Sequence, residues 1–91
     1  MSGSHASYVV TGGGRGVGRA ITERLAHDGA VVVVELDRES LGWAEALPRV
    51  QAVLGSAADH AVAQEAAARA GELGRLTGWV NNAAVFRDAV L

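Results

Sequence analysis

Short apolar runs alternate along this chain with longer stretches in which apolar residues recur every three or four positions, a pattern of strands and helices in turn. Ala6 to Val10 is apolar and breaks into Thr11-Gly12-Gly13-Gly14-Arg15-Gly16-Val17-Gly18, after which Val17, Ala20, Ile21 and Leu25 fall at helical spacing. This predicts strand, glycine loop and helix. The helix is expected to stop near Asp28-Gly29, with the glycine as a left-handed cap. The next run, Ala30 to Leu36, is too short and too β-branched for a helix and reads as a fully buried strand. Asp37 or Ser40 can cap a second helix running through Leu47, which Pro48 closes. Val50 to Leu54 predicts a third strand. Asp59 stands at an N-cap before an alanine-rich helix to about Leu73, Gly74 ends it, and Gly78 to Asn81 predicts a short fourth strand.

The order βαβαβαβ with short connections implies one α/β domain: a doubly wound parallel sheet with right-handed crossovers, helices on both faces and strand order 3-2-1-4. Ninety-one residues leave room for no second domain. The sequence shows no internal repeat, linker or charge block.

Composition narrows the partners. A net charge of −2 and a pI near 5.8 supply no basic field for nucleic acid, although every positive residue is arginine. The longest unbroken apolar stretch, Ala30 to Val34, is far too short to span a membrane. Met1 to Ser7 lacks the features of a signal peptide, and the chain has no cysteine, so a cytoplasmic location is expected.

The glycine loop carries the chemistry. At a helix N-terminus, unpaired backbone N–H groups and the positive end of the helix dipole hold phosphate, and glycines let a pyrophosphate approach the backbone. Gly12, Gly16 and Gly18 have the spacing Gly-x-x-x-Gly-x-Gly. The Gly-x-Gly-x-x-Gly fingerprint and the Gly-Lys-Ser/Thr ending of a P-loop are both absent, which argues against a kinase or NTPase. A flexible loop is the simpler reading of a lone glycine run, but a predicted strand before it and a helix after it favour a phosphate cradle.

Thr11 to Gly18 resembles the TGxxxGxG motif of classical short-chain dehydrogenases/reductases, and Asn81-Asn82-Ala83-Ala84 resembles their NNAG motif. The motifs lie in the family's order, 63 positions apart (81 minus 18), and the resemblance spans essentially the whole chain. It implies the N-terminal half of a Rossmann-type domain that binds NAD or NADP. By the same resemblance Arg15, Gly16 and Val17 would line the adenosine ribose and pyrophosphate, Gly12 would make the turn, and Gly18 would let the helix pack closely on the sheet. Thr11 would tie the loop to the fourth strand and Asn81 would brace neighbouring strands. Asn82, Ala83 and Ala84 would approach the ribose and the nicotinamide half. Ala84 stands where the family usually has glycine. The family's adenine-contacting aspartate is replaced by Ser56, with Leu36 and Ala57 expected beside it in the site.

Cofactor choice turns on the end of the second strand, where a carboxylate accepts from a ribose diol and repels a 2′-phosphate. Glu35 lies 17 positions past Gly18, near the offset expected of that acid, so NAD is expected over NADP. Asp37 is a rival for the task or a helix cap, and Arg15 or Arg38 could instead pair with a 2′-phosphate.

No catalytic residue is identified. The family's chemistry, as the resemblance implies it, needs a tyrosine assisted by a lysine four residues later, but the only tyrosine, Tyr8, lies in the first strand and there is no lysine. His5, His27 and His60 are scattered and form no metal-ligand pattern. Trp43 and Trp79 read as packing residues. The unpaired edge of the fourth strand, with Phe86, Ala89, Val90 and Leu91 suggesting a further helix, leads us to expect a polypeptide that continues past Leu91. The resemblance then implies hydride transfer between a nicotinamide cofactor and an alcohol or carbonyl substrate in the complete protein, which would be a homo-oligomer. The alternatives are a dinucleotide-binding module without chemistry and a purely structural interaction module that pairs through the sheet edge.

Overall fold

A computed structural model describes residues 5–14 and 16–83. Its central strand explains the rest. Val31–Val34 is a β-branched run suited to extended backbone, and every residue of that strand, Gly29–Glu35 (β2), is buried. Burial on both sides requires a cover on each face of the sheet. Val32 and Val34 point into one cluster with Val9, Val53, Ala66 and Ala70, whereas Val31 and Val33 point into another with Val10, Leu41, Ala44 and Val50.

The strands Ala6–Thr11 (β1), β2, Val50–Leu54 (β3) and Arg75–Asn81 (β4) form a parallel sheet in the order β3-β2-β1-β4. This is the expected α/β, Rossmann-like N-terminal half. Helices Gly16–Leu25 (α1) and Gly42–Glu45 (α2) belong to one face, and His60–Leu73 (α3) covers the other. Asp59 caps α3 by accepting from the Ala61 N–H at 2.9 Å. The small side chains of Ala66 and Ala70, both fully buried, set α3 close against the sheet.

Several boundaries differ from the sequence expectation. α1 ends at Leu25, and Gly29 has no left-handed conformation; it begins β2, where a side chain would run into the Ala6 carbonyl. The second helix is reduced to a 3-10 turn, Arg38–Leu41, and the single turn α2. Asp37 does cap this segment, accepting from the Glu39 N–H at 3.0 Å. β4 starts at Arg75 rather than Gly78, because the backbone pairs with β1 from Ala6 onward and absorbs an irregularity between Ser7 and Tyr8. Polar and basic residues early in β4 conceal it from a hydrophobicity reading. Phe86 to Leu91, expected to lead into a helix, lie outside the described residues.

Ser7 is fully buried, and its hydroxyl has no hydrogen-bond partner among the described residues. Because an unsatisfied buried hydroxyl is penalised by desolvation, Ser7→Ala is expected to raise unfolding free energy by about 1 kcal/mol. Urea denaturation of the protein expressed from its own gene measures this, and a lowered midpoint at unchanged slope would show that the hydroxyl is satisfied after all.

Candidate functional site

The chain runs outward from β1 through β2 to β3, then returns across the sheet to β4 on the other side of β1. Such a reversal opens a crevice beyond the carboxyl ends of the strands. Here it is a cleft of about 320 Å³ lined by Gly12, Val34, Glu35, Leu36, Asp37, Gly55, Ala57, Asn82 and Ala83. Each lies at or just past a strand's carboxyl end.

Gly12 (φ 65°) and Gly16 (φ 58°) adopt left-handed backbone that other residues rarely tolerate. A side chain at Gly12 would also press on the Ala83 backbone at 2.7 Å. Gly18 serves close packing: a Cβ there would collide with the Gly12 carbonyl and lie 2.5 Å from the Asn82 amide nitrogen. The start of α1 is thereby drawn directly under the loop. Thr22, one turn on, closes the space by donating to the Gly18 carbonyl at 2.9 Å.

Thr11 ties loop to strand. Its hydroxyl donates to the Val80 carbonyl at 3.3 Å and accepts from the N–H groups of Asn82 at 3.0 Å and Ala83 at 3.1 Å. The Asn82 side-chain amide donates to the Gly12 carbonyl at 3.0 Å. The bracing expected of Asn81 is therefore made by Asn82. Asn81 is exposed, and its side-chain oxygen accepts from the Trp79 indole at 3.2 Å.

Glu35 is 9% exposed and already engaged: Oε1 accepts from the Gly14 N–H at 3.0 Å, and Oε2 accepts from those of Leu36 at 3.2 Å and Asp37 at 3.4 Å. Leu36, 71% exposed, presents an apolar side chain at the cleft. Ser56 is outside the lining, and its hydroxyl accepts from the Ala58 N–H at 3.1 Å in a local turn, whereas Ala57 does line the cleft. Gly16 and the exposed Val17 start α1 beside the cleft, outside its lining. Arg15 and Ala84 lie outside the described residues.

Two contributors escaped the sequence reading. Gly14, an ordinary position of the motif, has both its peptide groups held by side chains, from Glu35 and from Trp43. Trp43, expected only to pack, donates its indole N–H to the Gly14 carbonyl at 2.8 Å. The signal available was the uninterrupted run Gly12-Gly13-Gly14, longer than the motif requires. A second cleft of about 540 Å³, lined by Glu23, Ala26, His27, Leu47, Pro48 and Arg49, lies at the opposite end of the sheet and gathers none of these loop elements.

A parallel sheet with a glycine loop at its switch point defines a Rossmann-like α/β protein. Residues 7–90 match the model of the family described as short chain dehydrogenase, and the chain belongs to the short-chain dehydrogenase/reductase family, as its N-terminal region. It is 37% identical over 91 residues to the short-chain reductase protein NovJ of Streptomyces niveus, covering 91% of this chain and 34% of NovJ. The chain thus spans about a third of that curated relative. The crystal structure of a protein assigned to the short-chain dehydrogenase/reductases from Sinorhizobium meliloti 1021 superposes with a TM-score of 0.69 at 29% identity, covering 89% of this chain and 41% of that one. The family implies an NAD(P) cofactor. Among the described residues, no helix is long and apolar enough to cross a membrane.

The Thr11 hydroxyl, 3% exposed, offers the sharpest test of how loop and β4 are joined. Thr11→Val keeps the shape but leaves the Asn82 and Ala83 N–H groups without their acceptor, so stability should fall by about 2 kcal/mol. Denaturant unfolding reads this directly; a change below the measurement error would remove the hydroxyl from the joint.

Proposed function

We propose that this chain is the cofactor-binding part of an NAD-dependent short-chain oxidoreductase that moves a hydride between the nicotinamide ring and an alcohol or carbonyl substrate. The observation that carries the reading is the cleft itself, where Gly12, Glu35, Leu36, Ala57, Asn82 and Ala83 meet beside the N-terminus of α1. Among the described residues, nothing beyond the chain neighbours and the backbone of α1 lies within 4 Å of where a side chain at the left-handed Gly16 would stand, leaving open space for a pyrophosphate to approach the backbone. Arg15, Gly16 and Val17 would flank that pyrophosphate, and Gly18 keeps the helix near enough to supply its N–H groups. Leu36 and Ala57 offer apolar surface suited to an adenine ring. Asn82, Ala83 and Ala84 would border the path toward the nicotinamide. The bound cofactor supplies or accepts the hydride; these residues bind and orient it.

NAD is preferred over NADP because Glu35 and Asp37 make one wall of the cleft acidic. After its backbone contacts, Glu35 has acceptor capacity left for one ribose hydroxyl. A 2′-phosphate at that wall would meet like charge. Ser56 would approach the adenine through its hydroxyl proton.

The chain has no lysine, and Tyr8 is spent inside β1, pairing with Gly78 of β4. The proton-transferring groups and the substrate pocket would therefore belong to polypeptide beyond Leu91, in a cytoplasmic homo-oligomer. The name of NovJ, a reductase, favours the carbonyl-reducing direction. The second reading is a dinucleotide-binding module without chemistry, which the same cleft would serve.

Isothermal titration of the protein expressed from its own gene tests the site. NAD⁺ should bind with a Kd at least about tenfold below that of NADP⁺. Gly16→Val, which strains the left-handed backbone and fills the open space, should abolish detectable binding while the circular dichroism spectrum is kept. Undiminished binding by a folded Gly16→Val protein would refute this assignment of the loop, and equal affinities would refute the NAD preference. Turnover of an alcohol or carbonyl substrate with NAD(H) separates the enzyme from the silent module.

A further inference from the structure

The centre of the glycine loop is gripped through a single residue's peptide groups. The Gly14 N–H donates to Glu35 Oε1 at 3.0 Å, and the Gly14 carbonyl accepts from Trp43 Nε1 at 2.8 Å. The same indole N–H is shared with the Ser40 carbonyl at 2.8 Å, which keeps the ring over the loop. On its face lies the Arg19 guanidinium, 4.7 Å from the ring centroid, itself held by Glu23 at 3.0 Å. There is no room for a side chain at Gly14: a Cβ would stand 2.7 Å from Glu35 Oε1 and 2.9 Å from the Ser40 Cβ. The end of β2 and the segment after it thus converge on one residue midway between the two left-handed glycines, with Arg19 of α1 backing the indole.

We infer that Glu35 and Trp43 form a two-sided clamp on Gly14 and are positioning residues for the dinucleotide loop, orienting it before the ligand arrives. The inference rests on the dinucleotide reading given above. Consecutive glycines lose more backbone freedom on ordering than any other residues. If Gly12-Gly13-Gly14 were loose in the free protein, that loss would be charged to binding; anchoring Gly14 from both sides moves it to folding. Trp43 lies outside the cleft lining and acts through Gly14. Its ring also packs against the core cluster beneath α1 and α2. A tryptophan that only packed would affect stability when altered, whereas a clamp affects affinity in protein that remains folded.

Trp43→Phe separates the two, since it keeps an aromatic ring and removes the N–H. Isothermal titration of the protein expressed from its own gene should show Kd rising about three- to tenfold. The factor should be the same for NAD⁺ and NADP⁺, because the loop would hold the pyrophosphate common to both. An unchanged Kd in folded Trp43→Phe, or a rise confined to one dinucleotide, would overturn the clamp while leaving the binding site standing. Failure of the unsubstituted protein to bind either dinucleotide would overturn the functional reading and the clamp with it. Hydrogen exchange of the unsubstituted, ligand-free protein supplies a readout that needs no variant: the Gly14 amide should be protected like the interior amides of β1 and β2. Exchange at the rate of an open loop would also overturn the inference.

Discussion

Burial of β2 on both faces is the constraint from which the architecture follows. Val31 to Val34 cannot leave either side to water, so the sheet needs cover above and below. With parallel strands, that cover comes from right-handed crossovers, which bring every strand's carboxyl end to the same edge. Placing β4 on the far side of β1 then parts the connections over that edge. The cleft is a consequence of how a run of valines is hidden, and the chemistry of the site occupies an opening that the topology makes unavoidable.

The loop beside the opening contributes backbone. Gly12, Gly16 and Gly18 act by what they lack, and each omission has a separate reason: left-handed conformation at the first two, and the approach of α1 to the Gly12 carbonyl at the third. Such requirements are legible in a sequence because only one residue type meets them. The same holds for Asp59, whose N-cap position follows from a short acceptor side chain before an alanine-rich run. The buried strands were equally plain, since β-branched residues in short runs have few other uses.

The misread positions share a different character. Asn81 and Asn82 are adjacent and chemically identical, so which one turns toward Gly12 depends on where β4 leaves the sheet, a tertiary fact. The early part of β4, Arg75 to Thr77, is exposed, Leu76 included; it is a strand because β1 offers it hydrogen bonds, not because its side chains seek the core. Gly29 looked like a helix cap, yet the close passage of the Ala6 carbonyl is what requires a glycine there. In each case a neighbour distant in sequence decided the outcome.

Glu35 shows how the two kinds of information meet. Its position at the end of β2, its carboxylate and its distance from the loop are what lead the sequence to an expectation of ribose recognition. Its surroundings give that carboxylate three backbone donors, one of them from the loop itself. A buried carboxylate needs such donors to offset lost hydration, so the contacts are a condition of its being there at all. They also couple the acidic wall of the cleft to the geometry of the glycines, because moving the carboxylate would release the Gly14 N–H. The wall and the loop therefore form one mechanical unit.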